Sequence, residues 1–193
     1  MSQQSQPHPS GRRVLLVAGA SSGIGAAVAA RGAEEGARVA VCARRADALR
    51  EVADRCGATP YVADVTVRSQ VDALIADVVR DHGRLDGVVA NAGVVRPGGL
   101  LELSDDDWDA TLRTNLTSVF LLARAALPPL VAARGAFVTV GSIAGLRAPA
   151  GRGRLCRVQG GRLHADQRHR GGVRPARRPR QHGVPGLDPD RDG

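Results

Sequence analysis

Lysine is absent: all 27 basic residues among the 193 of the chain are arginine, so no step that needs an ε-ammonium group can be assigned to it. Aromatic side chains are scarce as well, with one Trp, one Tyr and two Phe. Phe137 is the last of them, and beyond it no platform exists on which bases could stack. Cys42, Cys56 and Cys156 stand far apart, without metal-ligand or disulfide spacing. They read as incidental thiols of a reducing cytosol, and no metal site is expected. The opening MSQQSQPHPSGRR lacks the apolar core of a signal peptide, and no apolar run approaches membrane-spanning length. A cytoplasmic chain with no membrane partner is the expectation.

What is present divides in two. Apolar residues make up 43% of the chain, enough for a globular domain, but the charge is unevenly spread. Through Gly151 there are 16 arginines and 15 acidic residues, whereas Arg152–Gly193 holds eleven arginines against four aspartates. The net charge of +8 is therefore mostly a property of the tail. Leu, Ile, Val and Phe together number six in those last 42 residues, too few to offset the entropy of ordering them. The expected organisation is a disordered arm at 1–11, a folded domain at 12–150 and a disordered Arg/Gly-rich tail at 151–193.

Between Arg13 and Ala150 strands and helices alternate with short connections, the pattern of a parallel sheet covered by helices. RVLLVA, ARVAVCA, TPYVADV, LDGVVANAG and GAFVTVGSI read as five strands. In VDALIADVV, residues Val71, Leu74, Ile75, Val78 and Val79 form one helical stripe. Ser104 and Asp107 make a capping box that opens a single long helix, DDDWDATLRTNLTSVFLLARAAL. After Pro149 neither a period of 2 nor one of 3.6 survives.

The segment VAGASSGIG, Val17–Gly25, joins the first strand to the first helix. Gly19, Gly23 and Gly25 permit a tight turn, close approach of a pyrophosphate and close packing of helix on sheet, while the helix N-terminus offers free amides. With its G-x-x-x-G-x-G spacing the chain resembles the short-chain dehydrogenase/reductase family. The usual Thr before the first glycine is Ala18. The resemblance continues through Asp64 and Val65 of ADV, the pair that contacts adenine, and through Asn91, Ala92 and Gly93 of ANAG. It reaches Asn115 of TNLTSVF and Ser142 of GSIAG, which match the asparagine and serine of the family's catalytic tetrad. It implies a doubly wound Rossmann fold with sheet order 3-2-1-4-5, incomplete after strand five. It also implies dinucleotide binding by Gly19, Ser21, Ser22, Gly23, Ile24, Gly25, Asp64, Val65, Asn91, Ala92 and Gly93, and hydride exchange with a small carbonyl or alcohol substrate.

The second strand ends CARR, with Ala43 where an acid would hold the ribose hydroxyls of NAD, and Arg44 after it. A guanidinium at that point suits a 2′-phosphate, so NADP is the expected cofactor, with NAD possible. Arg44 and Arg45 capping a solvated loop is the plainer alternative. His82 is expected to complement a helix dipole, Trp108 to pack, and Asp86 to orient the loop before strand four.

The family's Y-x-x-x-K, which carries the proton transfer, has no counterpart: the lone tyrosine is Tyr61, in strand three, and lysine is lacking. Degenerate codons for residues 154–165, read one nucleotide later, admit A-Y-A-A-S-K, with Tyr thirteen positions after Ser142 and Lys four after that Tyr. The same frame across 177–187 admits G-V-R-V-N-T-V-C-P-G, similar to the family's next strand and its Pro-Gly turn. Translation is thus read as leaving the family frame between Ala148 and Arg154. The chain is expected to be an oxidoreductase by family but inactive, with its homo-oligomer interface compromised. The alternatives are a nucleotide-binding pseudoenzyme and, less favoured, a nucleic-acid-binding basic tail; no specific nucleic acid is expected.

Overall fold

The structure, a computed structural model, describes residues 11–95 and 102–142. Gly11 alone of the expected arm falls within them, and the expected tail at 151–193 lies outside them. Five strands alternate with helices: β1 (Val14–Ala18), α1 (Gly23–Glu34), β2 (Arg38–Ala43), α2 (Ala46–Cys56), β3 (Thr59–Val62), α3 (Arg68–His82), β4 (Gly87–Ala90), α4 (Asp105–Leu112), α5 (Ser118–Ala133) and β5 (Ala136–Thr139). All pairings are parallel and the order is β3-β2-β1-β4-β5, the expected doubly wound α/β sheet.

The central strand shows why its sequence is apolar without alternation: both faces are covered. Val14, Leu16 and Ala18 enter the cluster with Val71, Leu74, Ile75 and Val78 of α3 and Val119, Leu122 and Ala126 of α5. Val17 enters the opposite cluster, with Ala29 of α1 and Leu49 and Val52 of α2. The stripe read on α3 is the face it buries, with Val79 packed at its edge. At the lower rim Asp86 ties three strands: its carboxylate accepts from Val14 N at 2.8 Å, its own amide donates to Val14 O at 2.9 Å, and its carbonyl accepts from Ala136 N at 2.9 Å. Arg84 holds that carboxylate through Nε at 2.8 Å and Nη2 at 2.5 Å.

Three sequence expectations are corrected. β3 stops at Val62 rather than running to Val65, because Asp64 Oδ1 accepts from Thr66 N at 2.9 Å and from Thr66 Oγ1 at 2.7 Å, closing an Asx turn. The single helix expected at 105–127 is α4, a π-helical turn over Arg113–Thr117, and then α5, which continues past Pro128 and Pro129 to Ala133. Ser104 caps this run as expected, Asp107 N donating to Ser104 Oγ at 3.1 Å. The helical run Asp105–Ala133 also reaches membrane-spanning length, with a mean hydropathy of 1.7 in its most apolar window, although Arg113, Asn115 and Arg124 interrupt it. Its apolar character has a use in this fold, since Val119, Leu121, Leu122, Ala126 and Leu130 are buried in the core.

Candidate functional site

A crossover to the far side of β1 after β3 leaves a crevice above the carboxyl ends of β1 and β4, the place where open α/β sheets take ligands. The cleft there has a volume of about 430 Å³. Gly19, Ser21, Ser22 and Ile24 of the β1–α1 loop form one wall, and Ala43, Arg44 and Arg45 close the β2 end. Ala63, Asp64, Val65 and Thr66 follow β3, while Asn91, Ala92, Gly93 and Val94 follow β4, with Thr114 beside them.

Two glycines are required by close contact. Gly19 has φ +78°, and a Cβ there would lie 2.6 Å from both N and Cα of Ala92, so the β1 and β4 loops can touch only through a glycine. A Cβ on Gly25 would fall 2.2 Å from Gly19 O and 2.7 Å from Asn91 Nδ2. Neither Gly25 nor Gly23 lines the cleft, yet Gly25 sets how closely α1 approaches it, as the fingerprint reading requires. The loops are then fastened: Asn91 Nδ2 donates to Gly19 O at 2.9 Å, and the amides of Gly19 and Ala20 donate to Cys42 O at 2.8 and 3.1 Å. Asn91 is thus a fastener as well as a lining residue.

The rim is charged. Arg44 Nη1 lies 3.7 Å from Asp64 Oδ2, and Arg45 Nη2 donates to the hydroxyls of Ser21 and Ser22, each at 3.0 Å. Partial burial pushes the Asp64 carboxyl up, but the bonds from Thr66 N and Oγ1 and the Arg44 guanidinium outweigh it and hold the group below its ordinary value. Asp64 is therefore ionised at neutral pH and has no proton to give. Below the cleft, burial pushes the Cys42 thiol up to about 12, and its Sγ rests 3.7 Å from Ala63 O, so it is no nucleophile.

At the other end stand the two tetrad matches. Asn115 is fully buried in the π-helical turn; its Oδ1 accepts from Val94 N at 2.7 Å and its Nδ2 donates to Val94 O at 2.8 Å. Its side-chain amide is committed at both ends to the Val94 backbone. A π turn breaks the helical ladder and exposes backbone carbonyls, a device common at functional sites. Ser142 follows β5 and is half-buried, but neither it nor Asn115 lines the cleft itself. Tyr61 does not approach it either: its hydroxyl donates to Asp81 at 2.9 Å and its ring meets His82 edge-on at 6.4 Å. Burial and the bond to Asp81 push the phenol above its ordinary value. Among the described residues no group of three or more His, Cys, Asp or Glu side chains could hold a metal.

Sequence reasoning thus located the glycine loop, Arg44, Asp64, Val65 and the Asn91–Gly93 turn, all around one cleft. It missed Thr66, Val94 and Thr114, which carry no motif of their own, and gave Arg45 no role beyond the solvated loop. The serine pair at 21–22, with two arginines after β2, was the available signal for Arg45.

A sequence profile of the family described as short chain dehydrogenase matches residues 13–153. The chain is 34% identical over 140 residues to the 3-oxoacyl-[acyl-carrier-protein] reductase FabG of Thermotoga maritima, an alignment covering 69% of this chain and 57% of that protein. It is 30% identical over 152 residues to the FabG reductase of Escherichia coli, covering 77% of this chain and 62% of the other. The chain spans only about three fifths of the length of these relatives. Among solved structures, a short-chain dehydrogenase/reductase from Burkholderia phymatum in complex with NAD superposes with a TM-score of 0.77 at 28% identity, covering 80% of this chain and 58% of that one. A variant of actinorhodin polyketide ketoreductase with NADPH gives 0.74 at 34% identity, covering 80% and 62%.

Proposed function

Because the chain belongs to the short-chain dehydrogenase family, we propose that its cleft binds NADP(H), with NAD(H) as the weaker ligand, and that the site is laid out for hydride exchange with a carbonyl or alcohol substrate. The observation that carries this reading is the β2 end of the cleft, where Ala43 leaves room and two guanidiniums stand in place of a ribose-binding acid. Gly19 and Gly25 supply the close backbone approach that a pyrophosphate demands, and the N-terminus of α1 faces the same space. Of the relatives and neighbours, the ketoreductase holds NADPH and the Burkholderia enzyme NAD.

A bound nicotinamide would supply or accept the hydride. The chain's own residues do the rest. The Gly19–Ile24 loop and Asn91–Gly93 bind and orient, and Asp64 with Val65 receives the adenine end. Asn115 holds the Val94 loop in place, and Ser142 is assigned by family likeness to orient the substrate oxygen. What is missing is a proton. Asp64, the one carboxyl group among the described residues that line the cleft, stays ionised; lysine is absent from the sequence, and the lone tyrosine, Tyr61, is bonded to Asp81 away from the cleft. Positioned general acid–base catalysis contributes about 10²–10⁴-fold, so turnover by this chain should be negligible. A nucleotide-binding protein without turnover is therefore the second reading, favoured by the lack of lysine in the sequence and by the engagement of Tyr61 with Asp81 outside the cleft. Titration of the full chain with NADPH and NADH, following nucleotide fluorescence, tests both readings. Binding with NADPH the tighter ligand is expected. Failure to bind either nucleotide would sink them together.

A further inference from the structure

Among the described residues the sheet has two edges, β3 and β5, and they are finished differently. At β3, Ala63 N donates inward to Ala43 O at 3.2 Å, so the alternation of a strand turns Pro60, Val62 and Asp64 outward. Pro60 has no N–H to offer there, and Asp64 N is taken by Gln70 Oε1 at 2.7 Å. A proline on an edge stops a sheet from adding another strand. β5 carries no such device. Ala136 N donates to Asp86 O at 2.9 Å and Val140 N to Ala90 O at 3.1 Å, so the alternate residues Ala136, Val138 and Val140 are turned to β4. The N–H and C=O groups of Phe137 and Thr139 therefore face away from β4, where no described strand pairs with them. Residues 136–140 read AFVTV, without charge, proline or glycine. A bare edge of that composition is a template for another strand.

The later residues of the chain are poor material for that strand: from 143 onward no apolar run exceeds two residues, and Arg152–Gly193 holds eleven arginines. A second copy of β5 is good material. A two-fold axis sets two copies of β5 antiparallel, and the bonding pattern then fixes their register. With the axis at Val138, Phe137 of each copy lies opposite Thr139 of the other, and each such pair exchanges both of its N–H···O=C bonds. A slip of one residue would set these outward groups against groups already turned to β4. The two Val138 side chains meet at the axis, on the face opposite α5, where Val138 is half-buried and belongs to neither core cluster. Arg134 stands just before β5, so antiparallel pairing keeps the two guanidiniums at opposite ends of the seam. We propose that the chain forms a two-fold dimer through β5, closing the bare edge with a second copy of itself and joining two five-stranded sheets into one. This association does not depend on what the cleft binds.

Sedimentation velocity of the full chain over a range of concentrations should show a reversible monomer–dimer equilibrium without larger species, because the seam leaves the blunted β3 edges outermost. Thr139→Pro gives β5 the device that Pro60 gives β3. It removes an outward N–H without touching a bond to β4, and it should raise the dimer dissociation constant about ten- to hundredfold, with circular dichroism confirming the fold. Thr139→Val keeps the N–H and should dimerise as the unaltered chain does. If Thr139→Pro does not fold, Val138→Cys decides the matter. The facing Cα atoms at the axis would stand about 4.5 Å apart, within the span of about 4.4–6.8 Å that a disulfide bridges. Oxidation of Val138→Cys should therefore give covalent dimers well beyond any that Cys42, Cys56 and Cys156 give in the unaltered chain. Ala136→Cys, which would face Val140 of the second copy, should not. A monomer at every concentration overturns the proposal, whether later residues cover the edge or nothing does. An open series of larger species overturns it too, as does a dimer that survives Thr139→Pro or that Val138→Cys fails to cross-link.

Discussion

The cleft has two ends, built to different standards. At the β1–β2–β3 end several cleft residues have neighbours that explain them: Gly19 against Ala92, Asn91 on Gly19 O, Asp64 on Thr66 and Arg44, Arg45 on the two serines. At the β4–β5 end the scaffold is equally well made, with Asn115 buried and doubly bonded to Val94, but no tyrosine or lysine lies among the described residues there. A nucleotide cleft is assembled from backbone turns and small residues close in sequence, so it survives on the first two thirds of the chain. A proton-transfer site needs particular side chains at particular positions, and the pair that the family resemblance implies falls after Ser142, outside the described residues.

Restoring the later segment should produce the largest effect. If the sequence after Ala148–Arg154 is out of the family frame, a one-nucleotide correction there places Tyr thirteen positions after Ser142 and Lys four beyond it. The family profile stops at residue 153, inside that interval. The chain as given should show no NADPH oxidation against small ketones, aldehydes and quinones. The corrected chain should gain about 10²–10⁴-fold over background and lose it again when the new Tyr is changed to Phe. The DNA gives a sharper check: codons unable to spell Tyr at the Leu155/Cys156 junction and Lys at Gln159/Gly160, one base later, would end the frame account.

Gly19→Ala attacks the well-built end. A methyl group 2.6 Å from the Ala92 backbone, at φ +78°, must push the β1 and β4 loops apart, at a cost of about 3 kcal/mol or more. The urea midpoint should fall and nucleotide binding should vanish even under conditions where the variant remains folded. Binding retained at full stability would mean that the two loops are not held in contact. Asn115→Ala attacks the other end by leaving Val94 N and Val94 O without their partner. Two lost buried hydrogen bonds predict about 2–4 kcal/mol of destabilisation, with only a modest change in nucleotide affinity. Equal losses of stability and affinity would show that the two ends are one cooperative unit.

The same contrast explains what the sequence discloses. β1, its glycine turn and α1 are legible because the signals are local: an apolar strand, glycines at fixed offsets, a helix pattern. The stripe on α3 and the capping Ser104 are legible for the same reason. The π turn at Arg113–Thr117 is not, because it is stabilised by Asn115 reaching back to Val94, 21 residues away. The continuation of α5 through Pro128 and Pro129 is hidden by a local rule against proline that burial of Ala126 and Leu130 overrides. β3 ends early through the Asx turn at Asp64, although ADV resembles strand. Arg45 carries no motif, and its partners lie 23 and 24 residues before it.

The smallest effect tests the charge arrangement at the rim. Because Thr66 and Arg44 hold the Asp64 carboxyl below its ordinary value, its folded pKa lies beneath its unfolded one. Its contribution to stability is therefore present in full above the unfolded value, about 3.9, and is lost as pH falls through the folded value. Asp64→Asn keeps an oxygen that can accept from Thr66 but has nothing to titrate. The stability difference between the two proteins isolates the carboxylate from all the others that protonate in acid. Since the side chain is 27% exposed and Arg44 is 62% exposed, solvent screens the pair, and the difference should amount to about 1 kcal/mol or less. Urea midpoints should differ by a constant amount from neutral pH down to about pH 5 and converge below about pH 4. If Asp64→Asn were instead the more stable of the two at neutral pH, with the two converging in acid, burial would dominate and the carboxyl would be raised. Asp64 would then hold a proton at higher pH, and Arg44 would lose the charge it faces across the cleft.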